Sequence, residues 1–231
     1  MGAAGAGRGA FVTGTGTGVG KSVVAAAICA ALLDRGERVA AFKPVVTGLD
    51  EAPAAWPPDH ELLAAATSAG QSAESIAPYR FGPPLSPHLA AELADVRIDP
   101  AALLAGAHEA SSGADALVVE GVGGLLVPLT ADYLVRDLAV ELGLPLVIAA
   151  GTGLGTINHT LLTIEAARSA GLRVAGVAFT PWPDDPAPIE RSNRDTVERL
   201  GAVTVSGVEP TDPDALAAAG SGLPLDEWLG S

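Results

Sequence analysis

The chain is poor in cysteine, in aromatic residues and in positive charge, and each shortage removes a class of explanation. A single cysteine, Cys29, excludes a disulfide framework within the chain and fits a reducing compartment. It lies inside an apolar helical run, where a core residue is expected rather than a nucleophile. Only 13 Lys and Arg stand against 27 Asp and Glu, a net charge of −14. Such an acidic chain is a poor general partner for nucleic acid or an anionic membrane, so neither is expected. No apolar run reaches the roughly 18–20 residues of a membrane span. The longest, 23–33, is bounded by Lys21 and Asp34. The first nine residues lack the apolar stretch of a secretory signal, so a cytoplasmic protein is expected, with residues 1–8 flexible. His60 and His88 have no partner at metal-ligand spacing, so no zinc site is expected.

Alanine, glycine and valine are plentiful, and 231 residues that are 48% apolar and 17% charged suit one large α/β domain. Short, nearly continuous apolar segments at 10–13, 39–42, 116–120, 145–150, 174–179 and 203–205 read as parallel strands covered on both faces. Helical runs lie between them at 21–35, 60–69, 101–111, 131–142, 156–170 and 188–200. Gly36, Gly70, Gly143, Gly171 and Gly201 follow helices, where a left-handed residue is expected. The alternation implies a doubly wound, mostly parallel sheet with helices on both faces and ligands at the carboxyl ends of its strands. Two longer loops, 48–58 and 78–87, break the rhythm, and no composition shift marks a second domain.

The most informative stretch is 13–22, Thr-Gly-Thr-Gly-Thr-Gly-Val-Gly-Lys-Ser, between the first strand and the first helix. Glycine backbone can bend tightly and present N–H groups to an anion, and the following helix adds unpaired donors and its positive dipole end. Lys21 can reach β/γ-phosphate oxygens, and the Ser22 hydroxyl can ligate Mg²⁺. The fold expected is therefore a P-loop NTPase-like single domain over 1–231. The loop is a modified form, because Gly14 precedes Gly20 by one residue more than the strict motif allows.

Other chemistry-bearing residues gather at expected strand ends. Lys43, followed by Pro44, leaves the second strand at the ligand edge and is expected to be exposed there; Thr47 offers a hydroxyl close by. Glu120 ends an apolar strand and is followed by a glycine-rich turn, a position suited to Mg²⁺. Asp59 begins the second helix, where an N-cap and a metal ligand are both open. The segment 153–159, Gly-Leu-Gly-Thr-Ile-Asn-His, forms a second strand-loop-helix unit that either holds a carboxylate or caps its helix, with His159 structural.

Taken together, these segments resemble the dethiobiotin synthetase family. The family's phosphate loop is matched from Gly14 to Ser22, its Lys-Pro-Val/Ala-x-Ser/Thr-Gly from Lys43 to Gly48, its Val-Glu-Gly-Ala-Gly-Gly from Val119 to Gly124 with Val122 for Ala, and its Leu-Gly-x-Ile/Leu-Asn-His from Leu154 to His159. The resemblance implies a ligase of biotin biosynthesis. It closes the ureido ring of dethiobiotin from 7,8-diaminopelargonate, CO₂ and ATP, through a carbamate and a carbamic–phosphoric anhydride. It implies that Lys21 and Lys43 are catalytic, and that Mg²⁺ is held by Ser22, Asp59 and Glu120. Nucleotide contacts are implied at Gly18, Val19, Gly20, Lys21, Ser22, Val23, Asp59, Glu120, Gly121, Val122 and Gly123, and late in the chain at Thr180, Pro181, Val208, Glu209 and Pro210. Thr17, Lys43, Thr47, Gly121, Val122 and Gly123 are implied to line the diamine pocket. In the implied homodimer, Leu154, Gly155, Ile157 and Asn158 reach the partner's substrate.

Two departures stand out: Gly18 replaces an acidic residue common in the family's loop, and Thr180-Pro181 replaces Asn-Asp after the late strand. A hydroxyl cannot supply the paired donor and acceptor of an amide, so relaxed base selectivity is expected. An amidoligase would need a glutamine-hydrolysing domain with a reactive cysteine, which this chain lacks. A partitioning ATPase would carry a lysine early in the loop, where this chain has Thr13-Gly14-Thr15-Gly16.

Overall fold

The computed structural model describes residues 7–51, 56–68 and 70–230. Its central sheet has strand order β2-β5-β1-β6-β7-β8. These strands are β1 (Gly9–Gly14), β2 (Val39–Phe42), β5 (Ala116–Gly124), β6 (Leu146–Ala150), β7 (Val174–Phe179) and β8 (Val205–Gly207). Every neighbouring pair is parallel. A separate parallel pair, β3 (Val45–Val46) with β4 (Tyr79–Arg80), lies beyond the second strand and was not expected from the sequence.

The strands alternate their side chains between two cores, because successive residues of a strand point to opposite faces. Phe11, Phe42, Val119, Ile148 and Phe179 face one core; Val12, Ala41, Val118, Ala149 and Ala178 face the other. The first core is covered by α4 (Pro87–Leu93), α5 (Pro100–Ser111), α6 (Val135–Leu142), α7 (Thr156–Ser169) and α8 (Pro188–Gly201). The second is covered by α1 (Lys21–Asp34), α2 (Asp59–Ala65), α3 (Ala73–Ile76), α9 (Leu216–Ser221) and α10 (Leu225–Trp228). Alanines on α1 let it lie close to the sheet and to α9, and Cys29 is buried among them as expected. None of the described helices is long and apolar enough to cross a membrane.

Several boundaries move for identifiable reasons. The helix expected over 60–69 stops at Ala65, and Ala69 lies outside the described residues. Beyond it the chain serves the free edge of β2 instead: Ser68 Oγ accepts from Val39 N at 2.7 Å, and the Gln71 amide exchanges two hydrogen bonds with Ala41. Side chains thus do the work of a missing neighbour strand. The helix expected over 131–142 begins only at Val135, because Asp137 reaches back to accept from Leu134 N at 2.8 Å. The last strand runs over Val205–Gly207 rather than 203–205. Gly36, Gly143 and Gly171 take positive φ, but Gly201 stays helical and Ala202 takes φ 44° in its place. Gly201 is needed for helix contact, since a Cβ there would stand 2.9 Å from Ile164 Cδ1 of α7. Of the stretch expected to be flexible, residues 1–6 lie outside the described residues, whereas the Arg8 carbonyl accepts from Leu117 N at 3.1 Å.

Candidate active site

At the carboxyl edge of the sheet, central β1 leads to α1 on one face while its neighbours β5 and β6 lead to α6 and α7 on the other, which opens a crevice where ligands bind in such sheets. The phosphate loop fills that crevice. A Cβ on Gly14 would meet Val19 at 2.8 Å and the Gly16 carbonyl at 3.0 Å, so only glycine lets the loop fold back over the strand. Gly20 takes φ 82° and caps α1 without a side-chain acceptor, and the first turn of that helix carries no acid. The helix N-terminus is therefore left with its donors and dipole uncompensated, the arrangement that favours an anion. Lys21 is buried and curls across the loop, its Nζ donating to Gly16 O at 2.8 Å. Burial, helped by the nearby ammonium of Lys43, holds its pKa below the usual lysine value.

Beside the loop lies a compact ionic cluster. Lys43, directly after β2, is not the exposed strand-end lysine expected: its exposure is 2%. Its Nζ sits 2.5 Å from Glu120 Oε1 and 2.7 Å from Asp59 Oδ2. Ser22 Oγ donates to the same Glu120 oxygen at 2.8 Å. Elements distant in sequence, β2, α2, β5 and the start of α1, thus converge on one point. Burial alone would lower the pKa of Lys43, but the two carboxylates outweigh it and raise the value. Glu120 is completely buried, and that desolvation raises its pKa against the opposing pull of Lys43. Desolvation would also raise the pKa of half-buried Asp59, but the Lys43 ammonium prevails and lowers it. Asp59 is the first residue of α2 and Pro58 its N-cap, so the capping alternative gives way to the ionic one.

The cluster suits a divalent cation. Glu120 Oε2 is buried without a hydrogen-bond partner among the described residues, leaving an anionic oxygen uncommitted. Among the described residues no group of three or more His, Cys, Asp or Glu side chains is arranged for a metal. A cation here would therefore draw on Asp59, Glu120 and the Ser22 hydroxyl, with phosphate oxygens and water completing its shell, as Mg²⁺ prefers.

The late-chain residues converge on the same edge. Thr180, after β7, packs so closely on the phosphate loop that a Cβ on Gly20 would stand 2.5 Å from its methyl group. Val208 N donates to Phe179 O at 2.8 Å and Val208 O accepts from Trp182 N at 2.7 Å, drawing 208–210 beside 180–182. Val208 itself is fully buried with both backbone groups committed, so only Glu209 and Pro210 of that stretch face solvent. Trp182, which sequence reasoning passed over, lies across Gly207 with the Arg194 guanidinium 5.5 Å from its ring centroid. Thr17 and Gly18 are exposed on the loop, Thr47 is half-buried after β3, and Gly121, Val122 and Gly123 lie in the last part of β5. Leu154, Gly155, Ile157 and Asn158 follow β6, in the turn and at the start of α7. No hydrogen bond or ion pair among the described residues links them to Lys43, Asp59 or Glu120, and Leu154 is 95% exposed.

A family model described as an AAA domain matches residues 8–218. Solved structures with the same fold include a ParA family ATPase from Chlorobium tepidum, with TM-score 0.53 and 14% identity over 94% of this chain and 91% of that one. Cyanthece apo McdA gives 0.52 and 13% over 95% and 92%. The curated relatives are much nearer in sequence. An ATP-dependent dethiobiotin synthetase BioD from Bacillus subtilis is 37% identical over 88% of this chain and 87% of its own. Its namesake from Anaeromyxobacter dehalogenans is 41% identical over 93% and 95%, and that from Ralstonia nicotianae 45% over 72% and 73%. Identity at this level, sustained over most of both chains, means that the chain belongs to the ATP-dependent dethiobiotin synthetase family.

Proposed function

We propose that the protein closes the ureido ring of dethiobiotin from 7,8-diaminopelargonate, CO₂ and ATP. The observation that carries this reading is the meeting of Lys21, Ser22, Lys43, Asp59 and Glu120 beside an uncapped phosphate loop. One amine of the substrate adds CO₂ to give a carbamate and loses a proton. A carbamate oxygen attacks the γ-phosphorus of ATP, ADP leaves, and the second amine then attacks the anhydride carbonyl, expelling phosphate and losing a proton. None of these steps needs a protein nucleophile. They need negative charge to be neutralised and reactants to be held in line. Lys21 and Lys43 supply fixed positive charge to the γ-phosphoryl group and the carbamate. Mg²⁺ held by Ser22, Asp59 and Glu120 would supply charge neutralisation on the phosphates.

Thr17, Thr47 and the 121–123 backbone line the diamine pocket in this reading. The residues 154–158 serve the partner subunit of a homodimer, the N–H groups at their helix start receiving the carboxylate of its diamine, which accounts for an exposed Leu154. The nucleobase lies against Thr180, Pro181, Glu209 and Pro210. A cytoplasmic site of action fits the substrates. A nucleotide switch of the ParA kind shares the fold but would need a lysine within 13–16, which reads Thr-Gly-Thr-Gly. Phosphate release from ATP, followed with diamine and bicarbonate omitted in turn, tests the reading. Release that requires both and yields dethiobiotin stoichiometrically is expected; release indifferent to the diamine would overturn it.

A further inference from the structure

The turn 151–155 joins β6 to α7, and its first three carbonyl groups are tied down by side chains. Thr156 Oγ1 donates to Gly151 O at 2.6 Å. The side-chain amide of Asn193 donates to Thr152 O at 2.8 Å and to Gly153 O at 3.2 Å. A trans peptide is planar, and its C=O and following N–H point in opposite directions. Holding the carbonyls of Gly151, Thr152 and Gly153 therefore turns the N–H groups of Thr152, Gly153 and Leu154 the other way. None of these three donates to any group among the described residues, nor do the amides of Gly155, Ile157 and Asn158 at the start of α7. The result is a set of unpaired donors at a helix N-terminus.

Asn193 comes from α8, 40 residues away, and its exposure is 6%. It occupies the inward face of that helix in register with Val197 and Gly201, where an apolar residue would ordinarily pack. An amide is the neutral side chain that offers two donors from one atom; aspartate would confront the two carbonyls with acceptors alone. A second strut runs parallel: Thr152 Oγ1 donates to Glu190 Oε1 at 3.2 Å, while Glu190 Oε2 accepts from Ala187 N at the start of α8.

We infer that Asn193 is a positioning residue for the substrate carboxylate, acting through the turn whose amide donors it aims. This inference rests on the reading of 154–158 as the receptor for the diamine's carboxylate. The test compares 7,8-diaminopelargonate with its methyl ester, which keeps both amines and loses the charge. The wild type should use the ester poorly. Asn193→Ala should raise KM for the acid roughly ten- to a hundredfold, the loss of one hydrogen bond to a charged group, with kcat and the KM for ATP within about twofold. With the ester, Asn193→Ala should perform no worse than the wild type. Asn193→Ser, which keeps one donor, should fall between, and it carries the same comparison if the alanine variant does not fold. Equal penalties on acid and ester, or an unchanged KM for the acid, would overturn the role of Asn193. A wild type that handles acid and ester alike would instead overturn the receptor reading.

Discussion

Replacing Lys43 by alanine removes the only cation that touches both Asp59 and Glu120 among the described residues. Glu120 has 0% exposure and keeps only the Ser22 hydroxyl as partner; Asp59 is 41% exposed at its side chain and finds partial relief in water. Breaking a buried pair from one side costs about 3–5 kcal/mol, and the exposure of Asp59 places this case near 3 kcal/mol. For a chain of this length that corresponds to a fall in Tm of roughly 6–12 °C. The cost has a pH signature. Without Lys43, Glu120 should take up a proton in the folded protein, so its folded pKa stands above its unfolded value. Such a group favours folding fully below the unfolded pKa, near 4.3, and that contribution is lost as pH rises through the folded one. The deficit of Lys43→Ala should therefore be larger at pH 8 than at pH 5. Urea unfolding of wild type, Lys43→Ala and Lys43→Met at both pH values, without nucleotide or metal, measures it; methionine restores the volume but not the charge. A deficit below about 0.5 kcal/mol at pH 8, or one independent of pH, would refute the cluster as drawn. Because Lys43 is buried rather than exposed as expected, its removal weakens the fold as well as the chemistry. Turnover of the variant must therefore be read at a temperature where it is folded, and a loss of orders of magnitude is expected there.

A divalent cation and the Lys43 ammonium draw on the same two carboxylates, so nucleotide-free Lys43→Met should bind Mn²⁺ about tenfold more tightly than wild type by EPR titration, a gain of roughly 1.4 kcal/mol; unchanged affinity would argue that Asp59 and Glu120 are not the metal ligands. CTP and GTP should support ring closure comparably to ATP, since Thr180 presents no amide to the base; rates below about a tenth of that with ATP, a gap of roughly 1.4 kcal/mol, would refute this. Asp115 accepts from both the Arg38 side chain and its backbone N–H, which hold its pKa down at about 2. Its contribution is present above the ordinary carboxylate pKa and lost as pH falls through the folded value, so Asp115→Asn should lower the urea midpoint at pH 6 and differ little from wild type at pH 2. A Cβ on Gly220 would stand 2.0 Å from the Ala27 carbonyl oxygen, so Gly220→Ala should force α9 off α1 and cost about 1–3 kcal/mol by calorimetry, while activity per folded molecule is retained.

The central strands and the phosphate loop were legible because both are local signals. An apolar run of strand length and a glycine-rich turn before Lys21-Ser22 need no knowledge of the rest of the chain. The four motif segments likewise named most of the residues that gather at the carboxyl edge. The short pair β3–β4 gave no such signal, since two-residue strands have no periodicity to read. Nor did Asn193, one amide in an otherwise polar helix, or Gln71, whose role is to finish a sheet edge.

Sequence alone therefore determined the order of the central strands and of the main helices between them, the phosphate loop and the types of side chain available for chemistry, because these follow from backbone stereochemistry and local pattern. Tertiary structure alone decided that Lys43 is buried between Asp59 and Glu120, that Asp59 turns to that lysine rather than to its own helix, and that an amide 40 residues away aims the turn after β6. Those outcomes depend on desolvation and on donors meeting acceptors across the sheet, and neither exists until the strands are side by side.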